Sequence, residues 1–233
     1  MTASTSTLDR RAPRVLAFSI GLTALLYVIP YGRTIAWPLV LISTLAHELG
    51  HGLAAAMLGG HFYSLRLYPD ASGVALWGGP LGRIATGLVA AAGLVGPAAA
   101  AFVLLIVGRR AARARRALTI IGIALLVVAL WLVRNPFGLA FTLLLATALA
   151  VVPHRAPGIA QAVVVFLAVQ LALAVFSRAD YLFTSMALTR SGPMPSDVAV
   201  MAQALFLPYW LWGAACGALS IVLLAAGARP YFR

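Results

Sequence analysis

The chain has 233 residues, 63% of them hydrophobic and 9% charged, with a mean hydropathy of +0.99, which excludes an ordinary soluble domain and describes an integral membrane protein. The net charge of +12 comes from arginine, with no lysine at all. The arginines gather at the ends of apolar runs rather than on one solvated face with interleaved aromatics, so the reading is contact with anionic lipid headgroups and control of topology, not nucleic-acid binding.

Apolar runs predict spans near residues 15–29, 36–58, 84–107, 118–133, 137–152, 159–176 and 205–226. The expected fold is an all-α integral membrane protein with six to seven transmembrane helices and a short β-hairpin between the second and third. It forms a single polytopic domain over 1–233, with 1–35 as tail and anchor helix and 36–233 as the helix core. Arg10, Arg11 and Arg14 precede the first span as in a signal peptide, but no small-residue cleavage site follows Ile29-Pro30-Tyr31, so it reads as an anchor. The fourth and fifth spans are only about 16 residues each, short for a bilayer about 30 Å thick, which predicts tilting, breakage or merging. Charge bias poses a conflict. The amino-terminal arginines favour a cytoplasmic start, yet three crossings later the run Arg109, Arg110, Arg113, Arg115 and Arg116 would lie outside. Either one short apolar segment is re-entrant or the amino terminus is external.

The second span holds the only glutamate of the chain, in His47-Glu48-Leu49-Gly50-His51. At this chain's own residue frequencies, a His-Glu-x-x-His match is expected about 3 times in 10,000. Residues four apart share one helix face, so His47 and His51 can grip one metal ion. Glu48 is then within reach of a metal-bound water it could deprotonate. An ionisable residue in mid-helix costs roughly 2.5–3.5 kcal/mol on insertion scales, so its presence points to function. The plainer reading is a pair of histidines bonded to neighbouring helices beside a neutral, buried Glu48; the metal site is preferred.

Residues 59–80 change character. Residues 63–68 partly alternate, Pro69-Asp70-Ala71-Ser72-Gly73 reads as a turn, and residues 74–77 as a second strand. This predicts a short hairpin at the membrane surface. It is either an interfacial connector anchored by Tyr68 and Trp77 or an exposed edge that captures an extended substrate through its backbone. The third span carries Gly87, Gly93 and Gly96-Pro97 among alanines, small residues that let helices approach closely. Gly96-Pro97 can also bend the helix and free a carbonyl. Asn135, between short spans, offers an amide for substrate backbone, and a simple Asn-Pro turn explains it equally well. Asn135, Gly96 and Pro97 are therefore the candidate substrate-binding positions.

Catalytic zinc usually takes three protein ligands and leaves one position open. Beyond His47 and His51 the chain offers His61, His154, Asp70, Asp180 and Asp197. His61 and His154 read as surface histidines, and Asp70 as a turn residue bonded to its own backbone. Asp180 is the favoured third ligand, where a helix could continue from the sixth span. Asp197 is the alternative, because it follows Pro195-Ser196 at a probable helix start and could equally serve that helix's dipole. Cys216 is the only cysteine and lies in an apolar helix, so there is neither a disulfide framework nor a thiolate metal site.

Together these residues resemble the site-2-protease family of membrane-embedded zinc metallopeptidases, in particular its small branch without extra domains. The likeness rests on His47-Glu48-Leu49-Gly50-His51-Gly52, the hairpin region with Gly59-Gly60, Val95-Gly96-Pro97, Arg134-Asn135-Pro136-Phe137-Gly138 and Pro195-Ser196-Asp197, and covers most of the chain from about residue 36. Better-known members follow their Asn-Pro with Leu-Asp-Gly, whose aspartate is the third zinc ligand; no such aspartate follows Asn135-Pro136 here. The resemblance implies a zinc (Zn2+) metalloendopeptidase cutting membrane-associated protein substrates, with Glu48 activating the water. A non-catalytic metal-binding pseudoprotease or a regulatory, chaperone-like protein is the alternative, and a transporter is disfavoured because mid-span charge is confined to this one constellation. All-arginine usage fits a GC-rich bacterial genome, and hence a bacterial cell membrane.

Overall fold

The computed structural model describes residues 11–177, 179–189 and 192–232. Helix α1 (Ala12–Val28) and the one-turn helix α2 (Gly32–Ile35) lead into α3 (Trp37–Met57). Strands β1 (His61–Leu67) and β2 (Gly73–Gly78) come next, then α4 (Arg83–Gly108), α5 (Ala111–Trp131), α6 (Pro136–Arg155) and α7 (Ala160–Ser177). A 3-10 turn (Ala179–Phe183) precedes a second hairpin, β3 (Met186–Thr189) and β4 (Gly192–Pro195), and the helices α8 (Asp197–Leu205) and α9 (Tyr209–Ala228). Six segments among the described residues are long and apolar enough to cross a bilayer, and Ala12–Leu26 is a shorter apolar helix. The protein is an all-α, multi-pass membrane protein with a small β-hairpin.

The fourth and fifth expected spans are longer than hydropathy suggested. Helices α5 and α6 have 21 and 20 residues, enough for about 30 Å at 1.5 Å per residue. Hydropathy stops at a charge, whereas the helix does not. Arg113, Arg115 and Arg116 sit inside the first turns of α5, exposed, where long stems can carry the guanidinium toward the headgroups. Only Arg109 and Arg110 of the expected arginine loop connect α4 to α5.

Helix α4 is the hub, packed against α3, α7, α8 and α9. Lipid gives no hydrophobic drive between helices, so close contact needs small residues. A Cβ at Gly50 would collide with the Ala92 carbonyl oxygen, and one at Gly96 would stand 3.0 Å from the Ala46 oxygen. Gly96 thus serves the α3–α4 contact. Pro97 lies inside α4, is buried, and has no N–H to give the carbonyl one turn before it.

The first hairpin doubles back along α3. Its base follows the end of α3, while its tip reaches the beginning: Trp37 Nε1 donates to the Pro69 oxygen (2.8 Å) and Thr44 Oγ1 to the Ala71 oxygen (2.8 Å). Backbone edges beside apolar helices need partners. The outer edge of β1 finds them at the α5–α6 junction: Leu65 N donates to Leu132 O (2.8 Å) and Arg134 N to Leu65 O (3.0 Å). Asn135 finishes the seal, its Oδ1 accepting from Leu67 N (3.2 Å) and its Nδ2 donating to Leu67 O (2.6 Å). An extended substrate would therefore find the β1 edge already taken at Leu65 and Leu67, and the β2 edge faces α3, its Ala75 N–H donating to Glu48.

Candidate metal centre

Helix α3 puts His47 and His51 one turn apart on the face turned toward α4 and α8. Their Nε2 atoms lie 3.1 Å from each other, with the rings edge to face. Asp197, at the start of α8, completes the group. Its Oδ2 is 3.2 Å from His47 Nε2 and its Oδ1 is 3.3 Å from His51 Nε2. These are the three residues among those described whose ligand atoms could hold one metal ion, all lying within 4.8 Å of one another.

Several local features build this cluster. His51 Nδ1 is 2.9 Å from the Val89 carbonyl oxygen, which can only accept, so Nδ1 carries the hydrogen and the neutral ring turns a lone pair outward at Nε2. Gly93, one turn further along α4, makes room for that ring, since a Cβ there would overlap the imidazole of His51. On α8, Ser196 is the N-cap: it is buried and its Oγ accepts from Ala199 N (3.3 Å). Asp197 is thereby left for the imidazoles.

The donor set fits a divalent cation. Asp197 Oδ2 is buried and, although 3.2 Å from His47 Nε2, is not aligned with any donor as a hydrogen bond requires. With His51 Nδ1 donating to Val89, the Nε2 lone pair of His51 faces the Asp197 carboxylate, a contact that repels unless a proton or a metal cation stands between them. Zinc with ligands at about 2.0–2.2 Å in a tetrahedron would space those ligands about 3.3–3.6 Å apart; the two Nε2 atoms are 3.1 Å apart, and each lies 3.2–3.3 Å from its own oxygen of the Asp197 carboxylate, at the short end of that range. Two imidazoles and one carboxylate also suit zinc in chemistry.

The other expected residues fall in different places. Glu48 is buried at 7% exposure and its Oε2 accepts from Ala75 N of β2 (2.7 Å). Asp180 lies in the 3-10 turn Ala179–Phe183, and its side chain is outside the described residues. Its neighbour Tyr181 sets its ring 6.3 Å from that of His47. Asn135 is committed to Leu67 of the hairpin. Asp70 behaves as a turn residue, accepting from Ser72 N (3.0 Å) and Ser72 Oγ (2.6 Å). His61 and His154 are exposed. Val89 and Ala75 contribute only backbone, so no residue type marked them in the sequence, and Gly93 was indistinguishable from a packing glycine in its alanine-rich run.

A helical membrane protein with a histidine–histidine–aspartate cluster buried in its bundle is thus defined by fold and site together. The chain belongs to the Peptidase M50B-like family, which matches residues 18–227, in agreement with the site-2-protease-like motifs. It is therefore a member of a family of membrane peptidases. No curated protein and no solved structure is detectably similar to it.

Proposed function

We propose that the protein is a membrane-embedded zinc metalloendopeptidase that hydrolyses peptide bonds of membrane-associated protein substrates, in a bacterial cell membrane. The observation that carries this reading is the convergence of His47 Nε2, His51 Nε2 and the Asp197 carboxylate within 3.3 Å of one another. His47, His51 and Asp197 are proposed as the metal ligands, Asp197 taking the place for which Asp180 was the first candidate. Zinc held there would supply Lewis-acid polarisation of a carbonyl and a more acidic water.

The chain's own residues do the rest. His51 is kept in the ligating tautomer by the Val89 carbonyl, and Gly93 gives its ring space. Glu48, one residue after His47, takes the proton of the attacking water and returns it to the leaving amine. The cluster lies between α3, α4 and α8, with His51 buried and 16% of the His47 and Asp197 side chains exposed, a partly screened setting that strengthens electrostatic contact with the developing oxyanion.

Two measurements test the reading. Glu48→Gln should lower peptide cleavage by about 100-fold or more while zinc content stays at wild-type stoichiometry. Asp197→Ala should lose zinc, whereas Asp180→Ala should keep it. Turnover by Glu48→Gln, or zinc retained by Asp197→Ala and lost from Asp180→Ala, would refute the corresponding role.

A further inference from the structure

We infer that strand β2 is the positioning device for Glu48, with the backbone N–H of Ala75 and the bare Cα of Gly73 as its working parts. The inference rests on the proposed general-base role of Glu48 and adds the element that aims it.

Glu48 is the only glutamate in the chain and one of few ionisable side chains buried among its helices. A glutamate has three side-chain torsions, and none is fixed by α3 itself. The Ala75 N–H, 2.7 Å from Oε2, supplies a charge-assisted bond from backbone that cannot swing away. It engages one carboxylate oxygen and leaves Oε1 to meet a water. Gly73 sets how closely the strand approaches. A Cβ there would lie 2.7 Å from Thr44 Cγ2, 2.8 Å from Glu48 Cγ and 3.0 Å from Glu48 Oε1. The backbone of Gly73 is not left-handed, so glycine is required by space and not by torsion. One turn earlier on α3, Thr44 Oγ1 holds the Ala71 oxygen at 2.8 Å. Strand and helix are thereby in register where the base emerges. On the far side, Asn135 and Leu132–Arg134 back up β1. Glu48 is thus clamped by a hairpin that is itself clamped.

The prediction concerns orientation, so it is read as kcat against KM and by a spectroscopic signature. Gly73→Ala should push β2 off Glu48 and lower kcat by about tenfold to a hundredfold, the range associated with misplacing a catalytic group by about 1 Å. KM should stay within about twofold and zinc stoichiometry unchanged. Because the chain has a single glutamate, protein made in a cell-free system with 13C-carboxyl glutamate gives one side-chain carboxylate band in difference infrared spectra. That band should shift in Gly73→Ala. It should also shift when Ala75 is replaced by its α-hydroxy analogue, which removes the N–H while keeping the side chain and serves as the second variant if Gly73→Ala fails to fold. Val74→Ala, on an exposed side chain of the same strand, should change neither. Wild-type kcat in both variants, or lowered kcat with an unmoved band, would overturn the proposal. Turnover in Glu48→Gln would strike the general-base role instead, and the infrared band would still decide whether β2 holds Glu48.

Discussion

Ser196 and Asp197 divide between them two tasks that either could attempt alone. A first-turn aspartate after Pro-Ser reads as a helix-dipole residue, and nothing in the local sequence separates that role from ligation. In the structure Ser196 Oγ accepts from Ala199 N, and both Asp197 oxygens approach imidazoles. Ser196→Ala should therefore do more than remove a cap worth about 1 kcal/mol. It leaves Ala199 N without its acceptor and gives the Asp197 carboxylate a competing partner, so zinc affinity measured by competition with a chromogenic chelator should fall together with thermal stability. Equal zinc affinity in the variant would separate cap from ligand. Gly93 is the matching case on α4. Gly93→Ala places a methyl where the His51 ring lies, and overpacking of this kind costs about 1–3 kcal/mol; the expected readout is a lowered melting temperature and weakened zinc retention.

At the scale of elements, how much could be read from sequence depended on whether the signal was local. Helices α3, α4, α7 and α9 were legible because long apolar runs have few alternatives in a bilayer. Strands β1 and β2 were legible from alternation around Pro69-Asp70. Their placement was not, because it depends on Trp37, Thr44 and Asn135, residues distant in the chain whose side chains can bond almost anywhere. The second hairpin, β3 with β4, escaped detection altogether. Pro193 and Pro195 argue against a strand, yet in a two-stranded sheet each can stand where no ladder N–H is needed, opposite Leu188 and Met186. Within the candidate site, the approach of His47 to His51 was legible, since both imidazoles come from one helix. The approach of Asp197 to that pair was not, because it turns on how α8 packs against α3 and α4. Asn135→Ala tests the clamp at this scale. It leaves Leu67 N and O without their partners beside apolar helices, so a loss of about 1–3 kcal/mol in stability is expected, measured by unfolding in detergent, with zinc content preserved.

For the whole molecule, the candidate metal centre joins elements that are far apart in the chain. His47 and His51 come from α3, and Asp197 from α8 beyond four further candidate spans. A cation there ties the first part of the bundle to its last. Zinc binding should then stabilise the fold as a whole by mass action, about 2.7 kcal/mol at a hundredfold excess over Kd. Removal of metal with a chelator should lower the melting temperature, and re-addition of zinc should restore it; Asp197→Ala should show neither change. An unaltered melting curve on chelation would show that the three side chains do not bridge the bundle through a metal. The excess positive charge belongs to this scale as well. Arg113, Arg115 and Arg116 open α5 while Arg155 closes α6, its antiparallel neighbour, and all four are exposed. One end of the bundle is therefore basic.

The seal on β1 also bears on how the protein is made. Leu67 and Asn135 are separated by 68 positions, and α4 and α5 must be synthesised between them. During biogenesis the nascent hairpin therefore emerges with one edge open and stays so until residues 132–135 leave the ribosome. Chains halted before that point should linger on insertion or quality-control factors, and chains halted soon after it should be released from them.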